Sequence, residues 1–288
     1  MTKDSLGRDH ESLPLWCTAG TLYQVLMDEK RTTKFKLAIE HTVREGDTVV
    51  DIGTGSGILA LFAVMAGASN VYAIESDPSN YKAASTVVSD NVMSNVIRVV
   101  RGDALQIELP EKADVVICEL MSTALLDEPQ IRLMNHAIGK FTKRGARIIP
   151  KRAITYCEFV TTDYEVYGLK LRVPQYEWSW IPSRARKISK SASLVDLDFT
   201  ITNEEWVRCS GSVEIVQDGY LNGLRLFTRT YLTDSITHHS SMGFCPGVII
   251  PTEKEFPVKM GDTVSYKLSY MAGYGYSSME FHVSKVKL

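Results

Sequence analysis

The chain has too few cysteines, in the wrong spacing, for a disulfide framework or a zinc site. Cys17, Cys118, Cys157, Cys209 and Cys245 are odd in number, scattered, and nowhere form Cys-x-x-Cys. No metal ligand set is expected, and reduced thiols suit a cytoplasmic protein. Long hydrophobic runs are also missing. No apolar stretch approaches the roughly 18 residues that span a bilayer, and the polar start from Met1 to Ser12 lacks the apolar core of a signal peptide, so no membrane association is expected. Charge of one sign is scarce as well: 32 Lys and Arg stand against 34 Asp and Glu, a net charge of -2, which gives no pull toward nucleic acid. Nor is there an internal repeat or low-complexity tract. What is there is a chain of 288 residues, 44% hydrophobic and 23% charged, which is the balance of a soluble globular protein large enough for two domains.

Hydrophobic spacing divides the chain into three stretches. Residues 1–44 hold a polar segment up to Pro14 and then two helical patterns. Leu22, Val25 and Leu26 share a face in the first; Phe35, Ala38, Ile39 and Val43 share one in the second, with Thr32 or Thr33 as its expected cap. Across 45–150, apolar runs at 48–52, 71–75, 96–100, 114–118 and 146–149 alternate with helical stretches such as Ile58–Ala66 and Pro129–Phe141. Near-continuous apolar strands between helices imply a parallel sheet covered on both faces, with ligands at the carboxyl ends of the strands. Across 151–288 the period changes to two: Val195–Ile201, Leu224–Thr230, Val264–Tyr270 and, less cleanly, Phe281–Val286 alternate between Gly, Asn and Asp turns. That pattern predicts an antiparallel, β-barrel-like domain. Val173–Ser193, with Trp178, Trp180 and two prolines, follows neither period and reads as an excursion from it.

The most informative segment is Asp51-Ile-Gly-Thr-Gly-Ser-Gly57, directly after Val49 and Val50. Three glycines spaced by two between a strand and a helix permit a tight turn where backbone comes very close to a ligand. About twenty residues on, Glu75 closes the next apolar run and suits a ribose diol. Glycine-rich turns also serve nicotinamide and flavin enzymes. Here, however, an acid precedes the first glycine, which repels a pyrophosphate and suits an amine-bearing ligand. Arg101-Gly102-Asp103-Ala104, ending a further strand, offers an acceptor to an adenine amino group. These features point to S-adenosylmethionine and to a Rossmann-like class I methyltransferase domain.

A second acidic pair lies beyond the fourth strand. Glu119 and Glu128 are separated by nine residues, Glu119 where the sheet opens to ligand and Glu128 before the helix signalled by Pro129. Two carboxylates on such a loop can clamp one planar guanidinium. Equally, Glu119 can simply end a strand and Glu128, with Asp127, favour a helix N-terminus.

In these segments the chain resembles the protein arginine methyltransferases. Glu119-Leu120-Met121 and the nine-residue separation are similar to that family's paired-glutamate loop, and Leu26-Met-Asp-Glu-Lys-Arg-Thr32 to its Leu-Lys-Asp-Glu-x-Arg-Thr segment. Ile149-Pro-Lys-Arg-Ala153 looks like its entry to the barrel, and Thr237-His238-His239 like its Thr-His-Trp element. The resemblance covers roughly residues 20–288. It implies that Arg31 holds the cofactor carboxylate; that Asp51, Gly53 and Gly55 hold its amino acid portion; that Glu75 holds the ribose and Asp103 with Ala104 the adenine. Met121 then packs near the sulfur, the helices of 1–44 cover the cofactor, and His238 pairs with Asp28. Four residues carry the chemistry on this view: Glu119 and Glu128 grip the acceptor, and His238, oriented by Asp28, takes its proton.

The departures are as specific. The family's Tyr-Phe-x-x-Tyr segment is absent, with only Leu15, Trp16 and Tyr23 in that region; the loop interior is Ser122-Thr123-Ala124; His239 replaces a tryptophan; and the stretch corresponding to the dimerisation arm is short. The expected activity is methyl transfer to an arginine of a protein or peptide. The substituted loop keeps open a methyltransferase of the same fold acting on RNA or a small-molecule amine, and a non-catalytic partner-binding module is a third alternative. The resemblance also raises a homodimer, which the short arm leaves open.

Overall fold

A computed structural model describes residues 19–239 and 245–286; Met1–Ser12, Leu15, Trp16 and Cys17 lie outside them. The chain forms two compact units. The first runs to Glu119 and takes in Gly139–Ile149; the second comprises Leu120–Ile138 and the chain from Pro150 onward.

In the first unit, α1 (Leu22–Met27) and α2 (Glu29–Thr42) precede an alternating series: β1 (Thr48–Ile52), α3 (Ile58–Met65), β2 (Asn70–Glu75), α4 (Pro78–Asp90), β3 (Ile97–Arg101), β4 (Ala113–Cys118) and, after the excursion into the second unit, β5 (Thr142–Ile149). The strands are parallel in the order β3-β2-β1-β4-β5. Every residue of β1 is buried, as the unbroken apolar run requires of a central strand covered on both faces. Strand order reverses between β1 and β4, so their carboxyl ends flank the crevice where sheets of this kind bind ligands. The expected Rossmann-like domain is present. The cap of α2 differs from expectation: it is Asp28, whose carboxylate accepts the Arg31 N–H at 3.1 Å, and Thr32 and Thr33 lie inside the helix. A short acidic side chain three residues before the N–H it accepts fits the geometry better than either threonine.

The helix expected at Pro129–Phe141 forms as α5 (Gln130–Lys140), but its residues through Ile138 pack with the second unit. Gln130, Ile131, Leu133, Met134 and Ala137 are its buried positions, and Asn135 exchanges two hydrogen bonds of 2.7 and 2.8 Å with Asn203.

The rest of the second unit is antiparallel. Its strands are β6 (Arg152–Thr161), β7 (Glu165–Val166), β8 (Leu169–Lys170), β9 (Gln175–Tyr176), β10 (Arg186–Lys187), β11 (Ala192–Asp198), β12 (Trp206–Glu214), β13 (Gly219–Tyr231), β14 (Thr237–His239), β15 (Val248–Val258), β16 (Thr263–Met271) and β17 (Glu280–Lys285). A seven-stranded sheet runs β10-β6-β13-β15-β9, with β11 on β6 and β14 on β13; β12, β16 and β17 form a three-stranded one, and β7 pairs with β8. Among the described residues these pairings leave the sheets open, so the antiparallel domain stands and a closed barrel is not seen. Between the sheets lies a core of Phe159, Leu224, Leu226, Val264, Leu268 and Tyr270. Sequence patterning missed β6, β12 and β15. In β6 both faces are largely buried, so period two never develops.

Candidate functional site

In the first unit, the chain leaves β1 through a turn in which Gly53, Gly55 and Gly57 all have positive φ, at +71°, +55° and +83°. Three left-handed residues in five positions require glycine. The turn is tied to β2: Gly53 and Thr54 both donate to the Ile74 carbonyl, at 2.9 and 3.0 Å. A Cβ on Gly55 would sit 3.3 Å from Leu22 Cδ2, so α1 leans directly on this turn.

Asp51, the last but one residue of β1, has 1% of its surface exposed. One carboxylate oxygen accepts the Thr54 hydroxyl at 2.6 Å; the other, Oδ1, is buried without a hydrogen-bond partner among the described residues. Burial pushes the Asp51 carboxyl up to about 7, opposed by the Thr54 hydroxyl and reinforced by nearby Glu75. Glu75 accepts the Gly55 N–H at 2.9 Å on one oxygen and the Asp77 N–H at 2.8 Å on the other. Its pKa is also raised, by burial, which outweighs those two donors. Asp77 then caps α4 by accepting from Ser79 and Asn80 at 2.9 and 2.8 Å. Asp103 is exposed and closes its own turn, accepting the Leu105 N–H at 2.9 Å, while Ala104 beside it is buried.

Arg31, 7% exposed in the first turn of α2, donates to the Glu119 carboxylate at the end of β4 and, at 3.4 Å, to the Val25 carbonyl. Its guanidinium lies 5.7 Å over the Phe35 ring. The structure therefore brings together the cation assigned to the cofactor carboxylate and the acid assigned to the acceptor. A buried carboxylate oxygen needing a donor, a glycine turn at van der Waals range and an acid at the end of β2 fit the amine, backbone approach and ribose of S-adenosylmethionine.

In the second unit lies the rest of the acidic loop. Gln130, fully buried, accepts the Leu120 N–H at 3.0 Å, and Met121 is 6% exposed. Ala124 and Leu125 have φ of 56° and 55°, two successive left-handed non-glycine residues, each costing roughly 1–2 kcal/mol. Glu128 is half-buried. Asp127 accepts the Tyr176 hydroxyl at 3.1 Å, and burial raises its pKa against that bond. His238 is buried on β14, opposite Thr230 of β13. Asp28 belongs to the first unit and His238 to the second.

Sequence reasoning missed Thr54, Gln130, Thr228 and Tyr270. Thr54 is visible in hindsight as the hydroxyl three residues after Asp51. The Gly273-Tyr-Gly-Tyr276 run was a legible turn signal.

Residues 29–178, over half the chain, match the family model described as ribosomal protein L11 methyltransferase (PrmA). An uncharacterized protein of Methanocaldococcus jannaschii is 36% identical over 87% of this chain and 92% of its own length. Protein arginine N-methyltransferase 6 of Xenopus tropicalis is 37% identical over 45% of this chain; the matched stretch spans only 38% of that enzyme. Among solved structures, the Trypanosoma brucei PRMT1 enzyme-prozyme heterotetrameric complex with AdoHcy gives a TM-score of 0.76 at 18% identity, covering 95% of this chain and 100% of that one. Arabidopsis thaliana protein arginine methyltransferase 10 gives 0.75 at 19%, covering 94% and 100%. At such identities the structural likeness is one of fold. The glycine turn with its flanking acids, the β3-β2-β1-β4-β5 sheet and the matched family model agree: the chain belongs to the class I S-adenosylmethionine-dependent methyltransferase family described by the PrmA model, as a divergent relative of the protein arginine methyltransferases.

Proposed function

We propose that this protein transfers a methyl group from S-adenosylmethionine to a guanidino nitrogen of an arginine in a protein or peptide. One observation carries the choice of acceptor: Glu119, at the mouth of the β1–β4 crevice, already bonds a guanidinium, that of Arg31. Bound there, the cofactor supplies an electrophilic methyl group on a sulfonium. Asp51 meets its amine, Arg31 its carboxylate, Glu75 its ribose, Asp103 and Ala104 its adenine, and Met121 packs near its sulfur. The acceptor guanidinium is protonated at neutral pH, its unperturbed pKa being above about 12, and is a poor nucleophile. Glu119 and Glu128 concentrate its charge on the nitrogens they bond and leave lone-pair character on the third. His238 takes the released proton.

Replacing Glu119 with Gln tests the clamp. Methylation of an arginine peptide is expected to fall by about 100-fold or more, with S-adenosylhomocysteine affinity, measured by calorimetry, changed far less. Unchanged turnover removes Glu119 from the reaction.

The loop interior Ser122-Thr123-Ala124 and His239 favour a second reading, in which the acceptor is a small-molecule amine or an RNA. Labelled cofactor incubated with protein, RNA and metabolite fractions separates the two: label confined to RNA or metabolites overturns the protein-arginine assignment. Failure to bind S-adenosylmethionine at all leaves a partner-binding module.

A cytoplasmic location is supported by Cys157 and Cys209, which form no disulfide; partition of the labelled protein into a membrane or secreted fraction counts against it. Self-association is supported by the excursion between β6 and β11, where Tyr167, Leu169, Val173, Trp180 and Ile181 are all exposed.

A further inference from the structure

We infer that Thr228, Tyr270 and the Gly273–Gly275 turn are positioning residues for the acidic loop, holding Ala124 and Leu125 in a left-handed path that sets where the chain delivers Glu128. This rests on the role proposed above for Glu128.

The loop's backbone is held at successive residues by bonds reaching it from distant strands. The Ala124 N–H donates to Thr228 Oγ1 of β13 at 2.8 Å, and the Ala124 carbonyl accepts the buried Tyr270 hydroxyl of β16 at 2.9 Å. Gly273 N–H then donates to the Leu125 carbonyl at 2.9 Å and Gly275 N–H to that of Leu126 at 2.7 Å. Ser122 closes the loop on itself: its carbonyl accepts the Leu125 N–H at 2.9 Å and its hydroxyl the Asp127 N–H at 3.0 Å. Gly273 has φ +79°, and a Cβ there would stand 3.1 Å from Pro129 Cα and 3.3 Å from the Glu128 carbonyl oxygen. The turn after β16 thus rests directly on the backbone at Glu128.

Neither alanine nor leucine enters the left-handed region freely, and here two do so in succession. An unpinned loop would relax toward ordinary φ and carry Glu128 with it. Strain of this kind persists only where surrounding bonds over-determine it, and it concentrates at functional loops. Misplacement of a reacting group by about 1 Å is worth on the order of 100-fold in rate.

Thr228→Val and Tyr270→Phe each remove one pin with little change of shape. The expected result with an arginine peptide is a kcat about 10- to 100-fold lower, with peptide KM within about threefold and S-adenosylhomocysteine affinity within about twofold of the parent. Adding Ala124→Gly to Thr228→Val is expected to recover much of the lost kcat, because glycine takes the left-handed path without the pin. Turnover within twofold of the parent in both single variants, each shown to be folded by its melting transition, overturns the inference. So does a failure of Ala124→Gly to rescue. Amide hydrogen exchange at Ala124 and Leu125 reads the pins without turnover: faster exchange there in Thr228→Val, with β13 still protected, supports them, and unchanged protection overturns them. A parent that methylates no guanidino acceptor sinks the proposed function alone, and exchange then decides the inference.

Discussion

Asp51 shows how one buried side chain ties stability to pH. Its carboxyl sits at about 7 in the folded protein against an ordinary value of 3.8, chiefly through burial. A raised acid binds protons more tightly folded than unfolded. Its contribution to stability is therefore fully present below the unfolded value and is lost as pH rises toward 7. Asp51→Asn, which stays neutral throughout, is expected to stabilise the cofactor-free protein by an amount that grows between pH 5 and pH 8, on the order of 2 kcal/mol over that interval. The same variant is expected to lose cofactor affinity. Thermal denaturation across that range checks it; an effect independent of pH would show that Asp51 is not a buried, titrating acid. Asp51, Glu75 and the glycines were legible because motif spacing is local. Asp51's pairing with Thr54 was within reach of the same logic; the Arg31–Glu119 contact, 88 residues apart in sequence, was not.

At the scale of elements, periodicity located the parallel strands to within a residue or two, except for β5, which begins at Thr142 rather than 146. It located helices less well where caps decide the boundary. Asp28 and Asp77 both act as caps through their side chains, and Pro78 opens α4 at a position where its missing N–H is harmless. Asp77→Ala is expected to cost about 1 kcal/mol, because two N–H groups lose their acceptor, and urea denaturation followed by helical signal checks it. A cost near zero would mean that water replaces the cap. The strands missed, β6, β12 and β15, are those whose alternation is blurred by burial on both faces, by small residues or by charge runs such as Glu253-Lys-Glu255. Strain at Ala124 and Leu125 left no trace in the sequence, since nothing about alanine or leucine announces a left-handed residue.

For the molecule as a whole, the exposed apolar excursion between β6 and β11 predicts association. Tyr167 is 94% exposed at a hairpin tip, and Trp180 stacks on Trp178 with its centroid 4.9 Å away yet stays 66% exposed. Sedimentation at tens of micromolar is expected to show a dimer, and Leu169→Glu combined with Trp180→Glu a monomer with an unchanged melting temperature, since neither side chain is buried. A monomeric parent would assign the patch to something other than a second copy.

The sequence by itself determined the parallel α/β unit, the glycine turn and its acids, and the antiparallel unit that follows, because these rest on spacing within about twenty residues. Only the tertiary structure decided that residues 120–138 join the second unit, that Arg31 meets Glu119, and that Thr228, Tyr270 and Gly273 hold the loop. Those are contacts between segments 88 to 148 residues apart, and no local period records which distant donor a backbone carbonyl will find.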